Sequence, residues 1–121
     1  MSLSAIILAA AAASQSVPAP ALPAEVTDVA YTELKAGNAD AAVRKLEEVA
    51  GQVRDPAVLI NLGTAYARQG ATDKALAAFR AAIASPERYD LELADGSWMD
   101  SRELARAALG KLQRATAQAS R

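Results

Sequence analysis

The sequence contains no cysteine and no histidine. Without thiols there is no disulfide, no lipidated cysteine and no thiolate nucleophile, and an ordinary zinc site loses its usual ligands. The missing histidine also removes the side chain that most often moves protons near neutral pH. Aromatic residues are only 4% of the chain. They are Tyr31, Tyr66, Phe79, Tyr89 and Trp98, so a core must come from Ala, Leu and Val with few rings. A formal net charge of −1 gives no electrostatic footprint for nucleic acid. No charged side chain precedes Glu25.

What remains favours helix. Hydrophobic residues are 52% of the 121, much of that alanine, the best helix former, while β-branched residues are sparse. The length suits one small domain. Three segments are expected: residues 1–21 as signal peptide and Pro/Ala linker, 22–86 as paired helices, and 87–121 as a hairpin plus a last helix. Residues 87–100 carry a net −4 and residues 101–121 a net +4. Two solvated faces account for that contrast, since surface pairs contribute about 0–1 kcal/mol each.

The N-terminus reads as an address. Leu3–Ala13 is an apolar run of the length of a signal-peptide core, and Ala11 and Ala13 supply an A-x-A cleavage pattern. Ala19 and Ala21 supply a second. A membrane anchor is the alternative, but a span needs roughly 20 apolar residues, and Ser14, Gln15, Ser16 and Pro18 interrupt this run. The expected location is therefore periplasmic or extracellular, with no stable membrane span.

The stretch "DPAVLINLGTAYARQGATDKALAAFRAAIASP" contains two helical patterns divided at Gly70. Leu59, Leu62 and Tyr66 recur at helical spacing, as do Ala75, Phe79 and Ala82. Gly70 suits a left-handed helix terminator, Thr72 an N-cap, and Asp73 the positive helix end. Pro86 closes the unit. A degenerate copy lies 33 residues upstream, with Gly37, Asp40, Ala42 and Leu46 at the places of Gly70, Asp73, Ala75 and Phe79. Val26, Val29, Ala30 and Glu33 stand where Leu59, Leu62, Gly63 and Tyr66 stand in the second. Leu59, Leu62, Gly63, Tyr66, Ala75, Phe79 and Pro86 resemble the tetratricopeptide repeat pattern. The resemblance covers about residues 22–86.

After Pro86 the pattern alternates. Asp95-Gly96 signals a two-residue hairpin turn. That turn places Leu93 opposite Trp98 and joins Tyr89, Leu91, Leu93 and Trp98 on one apolar face. Asp100 is expected to cap a final helix with the stripe Leu104, Ala108, Leu112, Ala115 and Ala119, a terminal cover for the repeats. The expected fold class is thus all-α: two helix-turn-helix repeats, a short β-hairpin and a C-terminal capping helix.

No catalytic motif is present: neither S-x-x-K, nor G-x-S-x-G, nor a phosphate-binding glycine loop. The Asp95 region fails as a calcium loop because Leu91 and Leu93 occupy ligand places. No catalytic residue, metal or cofactor is expected. The resemblance implies a concave groove that takes a peptide or protein segment. Thr27, Tyr31 and Lys35 would line it from the first unit, and Ala57, Ile60, Asn61, Thr64 and Arg68 from the second. Tyr89 and Trp98 form an alternative partner surface if the hairpin face is open. A non-catalytic adaptor is the leading expectation; self-association through open repeat ends is the alternative.

Overall fold

The computed structural model describes residues 6–7, 30–51 and 54–120. The cleavage sites, Val26, Thr27 and Val29 lie outside the described residues, as does the expected signal segment apart from Ile6 and Ile7. The elements are β1 (Ile6–Ile7), α1 (Tyr31–Lys35), α2 (Ala39–Ala50), α3 (Pro56–Arg68), α4 (Thr72–Ala84), β2 (Asp90–Leu93), β3 (Trp98–Asp100) and α5 (Ser101–Ala119). The chain is mostly helical, as its alanine content implies. The strands form one sheet in the order β1-β2-β3.

Two helix ends are built alike. Gly37 and Gly70 have φ of +80° and +81°, a conformation that costs an L side chain roughly 1–2 kcal/mol. After α1, the Gly37 amide donates to the Leu34 carbonyl and the Asn38 amide to that of Glu33. After α3, Gly70 donates to Ala67 and Ala71 to Tyr66 in the same way. Both are Schellman closures, which return each chain at once into the next helix. Asn38 caps α2 through the Ala41 amide at 3.0 Å. Asp55 caps α3 through the Ala57 amide at 2.9 Å, with Pro56 at the first helical position.

Two details differ from the sequence reading. Thr72 is the first residue of α4 and not its cap; Ala71, held by the Schellman bond, takes the cap position without a side-chain acceptor. Asp73 does lie in the first turn. In the first unit, Ala30 has φ 60° and ψ 36°. That left-handed residue starts the helix ladder only at Tyr31, so α1 has 5 residues where α3 has 13.

The core sits around α3, which packs against α2, α4 and α5. Its tightest point is Gly63. A Cβ there would lie 2.5–2.9 Å from three carbons of the Phe79 ring, so only glycine admits the ring at this distance. Phe79 itself is buried, as are Ala65, Ala75, Ala82 and Leu62. Small residues on both helices bring the two backbones close enough for one phenyl group to fill the space between them.

The hairpin forms with another register. Leu91 pairs with Met99 and Glu92 with Trp98. The Gly96 amide donates to the Leu93 carbonyl at 2.9 Å, and the Leu93 amide to that of Ser97 at 2.7 Å. The loop is therefore the three residues Ala94–Asp95–Gly96. A two-residue type I′ turn needs positive φ at both Asp95 and Gly96; only Gly96 has it, at +89°. Asp95 instead accepts from the Ser97 amide and hydroxyl at 2.9 and 2.6 Å. Those bonds fit an ordinary turn closed by one left-handed glycine. The one-residue shift moves Trp98 to the opposite face. Leu91 and Leu93 are buried, while Trp98 is 54% exposed. The expected apolar face containing Trp98 is thus corrected.

Buried serines pin the hairpin base. The Ser85 hydroxyl donates to the Arg54 carbonyl at 2.6 Å and accepts from the Glu87 amide. Ser101 donates its amide to the Tyr89 carbonyl and accepts from the Tyr89 amide. Asp100 caps α5 through the amides of Arg102 and Glu103, both at 3.1 Å. The ion pair at this end, Arg88–Asp100 at 2.8 Å, lies within the acidic segment and does not staple it to α5.

Phe79→Ala should cost about 3–5 kcal/mol in chemical denaturation, since it empties the centre of the core. Trp98→Ala should stay within about 0.5 kcal/mol, as an exposed site does. Native Trp98 fluorescence should already be quenched by iodide. A blue-shifted, unquenched indole would contradict the observed register.

Candidate functional site

The stripe 57, 60, 61, 64 and 68 runs along one side of α3, and its two halves have different surroundings. Ala57, Ile60 and Asn61 are fully buried, and β1 lies against α3. These three expected groove residues are therefore part of the packed interior, not an open wall. Thr64 is half-buried and Arg68 exposed. Both border a cleft of about 460 Å³ between α3 and α5. On α1, Lys35 lies over the Tyr31 ring at 5.9 Å, apart from this cleft. Thr27 lies outside the described residues.

The cleft has an apolar floor and a cationic rim. Phe79 contributes from α4, and Leu104, Ala108, Leu112 and Ala115 from α5. Arg68 and Lys111 stand at its edge. Arg68 is positioned by donating Nη1 to the Leu34 carbonyl at 2.9 Å, where it also satisfies the end of α1. Thr64 donates its hydroxyl back to the Ile60 carbonyl at 3.1 Å. The cleft thus offers shape, apolar area and positive charge, the attributes of a binding surface. Sequence reasoning missed the α5 wall because its stripe was assigned wholly to packing. At 1.5 Å per residue α5 is about 28 Å long, and its residues 113–119 are exposed.

The alternative surface divides. Trp98 is exposed and pairs with Glu92, and Asp90 and Asp100 lie on the same side of the hairpin. Tyr89 is not part of that surface. Its hydroxyl donates to Asp55, the residue that caps α3. Burial, then the Asp55 charge, raise the Tyr89 pKa well above the ordinary phenol range. It links the hairpin to the helices.

A second phenol joins the helix pairs. Tyr66 on α3 donates to Glu47 on α2, and Lys74 lies 5.6 Å from its ring centre. Nearby, Gln69 donates to Asp40 at 2.7 Å. Burial, followed by the Glu47 hydrogen bond and charge, pushes the Tyr66 pKa up to about 12. The neutral hydroxyl is the form that donates.

Comparison with protein-family models, curated proteins and solved structures finds no match to this chain. Among the described residues, no helix is long and apolar enough to cross a membrane.

An alkaline titration followed by tyrosinate absorbance should show one phenol ionising near pH 12, and Tyr66→Phe should remove it. Because folding raises this pKa from its ordinary 10.0, the stabilisation is complete below pH 10 and is lost as pH rises through about 12. Glu47→Gln should bring the step back toward pH 10. A step that stays at about 12 in Glu47→Gln would assign the shift to burial alone.

Proposed function

We propose that the protein is a non-catalytic adaptor of tetratricopeptide type that binds a peptide or protein segment in the cleft between α3 and α5. The observation that supports this most is the cleft itself: an apolar floor of Phe79, Leu104 and Leu112 with Arg68 and Lys111 at its rim. The repeated Schellman closures at Gly37 and Gly70 also support the repeat reading. The rim favours a segment with an acidic group beside apolar side chains, since interfaces are complementary in charge. On this reading the protein carries no catalytic residue and no cofactor. Export to a periplasmic or extracellular location, with removal of roughly 13 to 21 N-terminal residues, is proposed on the sequence of that segment.

Self-association is the second reading. It is favoured by the exposed last turns of α5, which carry Ala115 and Ala119.

Capture from native extract with the full chain as bait, carrying a photo-cross-linker at Lys111, tests the first reading. Wild-type bait should cross-link to a distinct protein, and Ala108→Arg, which fills the cleft, should reduce the yield at least about tenfold, the effect of a steric clash at a binding surface. Equal yields from both baits would overturn the proposal. A product of twice the bait mass, made of the bait alone, would replace it with self-association.

A further inference from the structure

β1 comes from a part of the chain that the sequence marks for removal, yet it occupies a definite place. Ile6 pairs with Glu92 and Ile7 with Leu93, parallel to β2. β1 also lies against α3, whose N-terminal half carries the buried residues Ala57, Val58, Leu59 and Ile60. We infer that the outer edge of β2 is a strand-addition site for an extended apolar peptide segment, and that the chain's own Ile6–Ile7 fills it in cis.

The backbone geometry specifies the edge. The Leu93 amide donates to Ser97 across the hairpin. Backbone groups alternate in direction along a strand, so the Glu92 amide and carbonyl face the other edge, where β1 runs. Without β1 that edge presents unsatisfied donors and acceptors beside an apolar helix, the condition under which sheets recruit another strand. The occupant is defined by what sits there now. Ile-Ile is β-branched, uncharged and free of proline, and it is bounded by alanine and leucine in an otherwise helix-favouring run. A partner strand of the same character satisfies the same hydrogen bonds.

Tethering decides whether the site is open. Residues 8–29 connect β1 to the helices in the sequence, and tethering across a span of that length gives an effective concentration on the order of millimolar. A free peptide of micromolar affinity therefore competes poorly with the tethered strand. If the N-terminal segment is processed as proposed above, the edge opens to partners; the binding site itself does not depend on that step, nor on the α3–α5 cleft.

The test uses the full chain and a fluorophore-labelled synthetic peptide of residues 4–10, read by fluorescence anisotropy. Ile6→Lys with Ile7→Lys should unseat the tethered strand and tighten peptide binding at least about tenfold over wild type. Glu92→Pro in that background removes the outward amide without touching the Leu93–Ser97 bond, and should abolish the gain. Ala108→Arg in the same background should leave peptide binding unchanged, which separates this site from the cleft. Equal, weak binding by wild type and the double variant, with helical content retained in circular dichroism, would overturn the inference. A concentration-dependent wild-type dimer that the Ile6→Lys, Ile7→Lys chain loses would also overturn it, by showing that the strand is exchanged between copies.

Discussion

The Phe79 ring lying against the bare backbone of Gly63 is the contact on which the rest of the structure depends. It sets the separation of α3 and α4, and that separation decides where α5 comes to rest. Phe79 also reaches the floor of the α3–α5 cleft, so one side chain serves the core and the candidate binding surface together. Ala75, Ala78 and Ala82 on α4 keep the approach close along the helix. In a chain with five aromatic residues, placing the only phenylalanine at this junction concentrates packing where three helices meet.

Around that junction, polar groups act as positional pins. Asp55 receives the Ala57 amide and the Tyr89 hydroxyl, and so joins a helix start to the hairpin. Ser85 and Ser101 fix the strand ends, and Arg102 donates to the Ser85 carbonyl at 2.9 Å. These bonds hold the sheet at the N-terminal end of α3 and leave its C-terminal end facing α5. The proposed cleft and the β2 edge are consequences of this division. One half of the α3 stripe is covered, and the other half stays accessible.

Much of the helical framework was legible in the residues because its determinants are local. Gly37 and Gly70 are needed for positive φ, and a helix followed by such a glycine reads as an end. Gly63 and Phe79 were readable as positions of the repeat pattern, but not as the pair that meets. The register of the hairpin was not, because it turns on the sign of φ at Asp95, which depends on whether that carboxylate bonds to Ser97. A shift of one residue then exchanged the environment of Trp98. Burial of Ile60 and Asn61 was equally hidden, since a helical stripe does not say which of its turns the neighbouring elements cover. The α5 wall was obscured for a different reason: an apolar stripe on a helix does not state how far the body beneath it extends.

The most direct measurement is a double-mutant cycle on Gly63 and Phe79 by chemical denaturation. With Phe79 in place, Gly63→Ala should destabilise the protein by about 1–3 kcal/mol, because the new methyl group overlaps the ring. In the Phe79→Ala background the same substitution should be neutral or stabilising by up to about 1 kcal/mol, because alanine is the better helix former and the space is empty. Equal effects in the two backgrounds would show that the ring does not rest on Gly63, and would contradict the account of how α3, α4 and α5 are brought together.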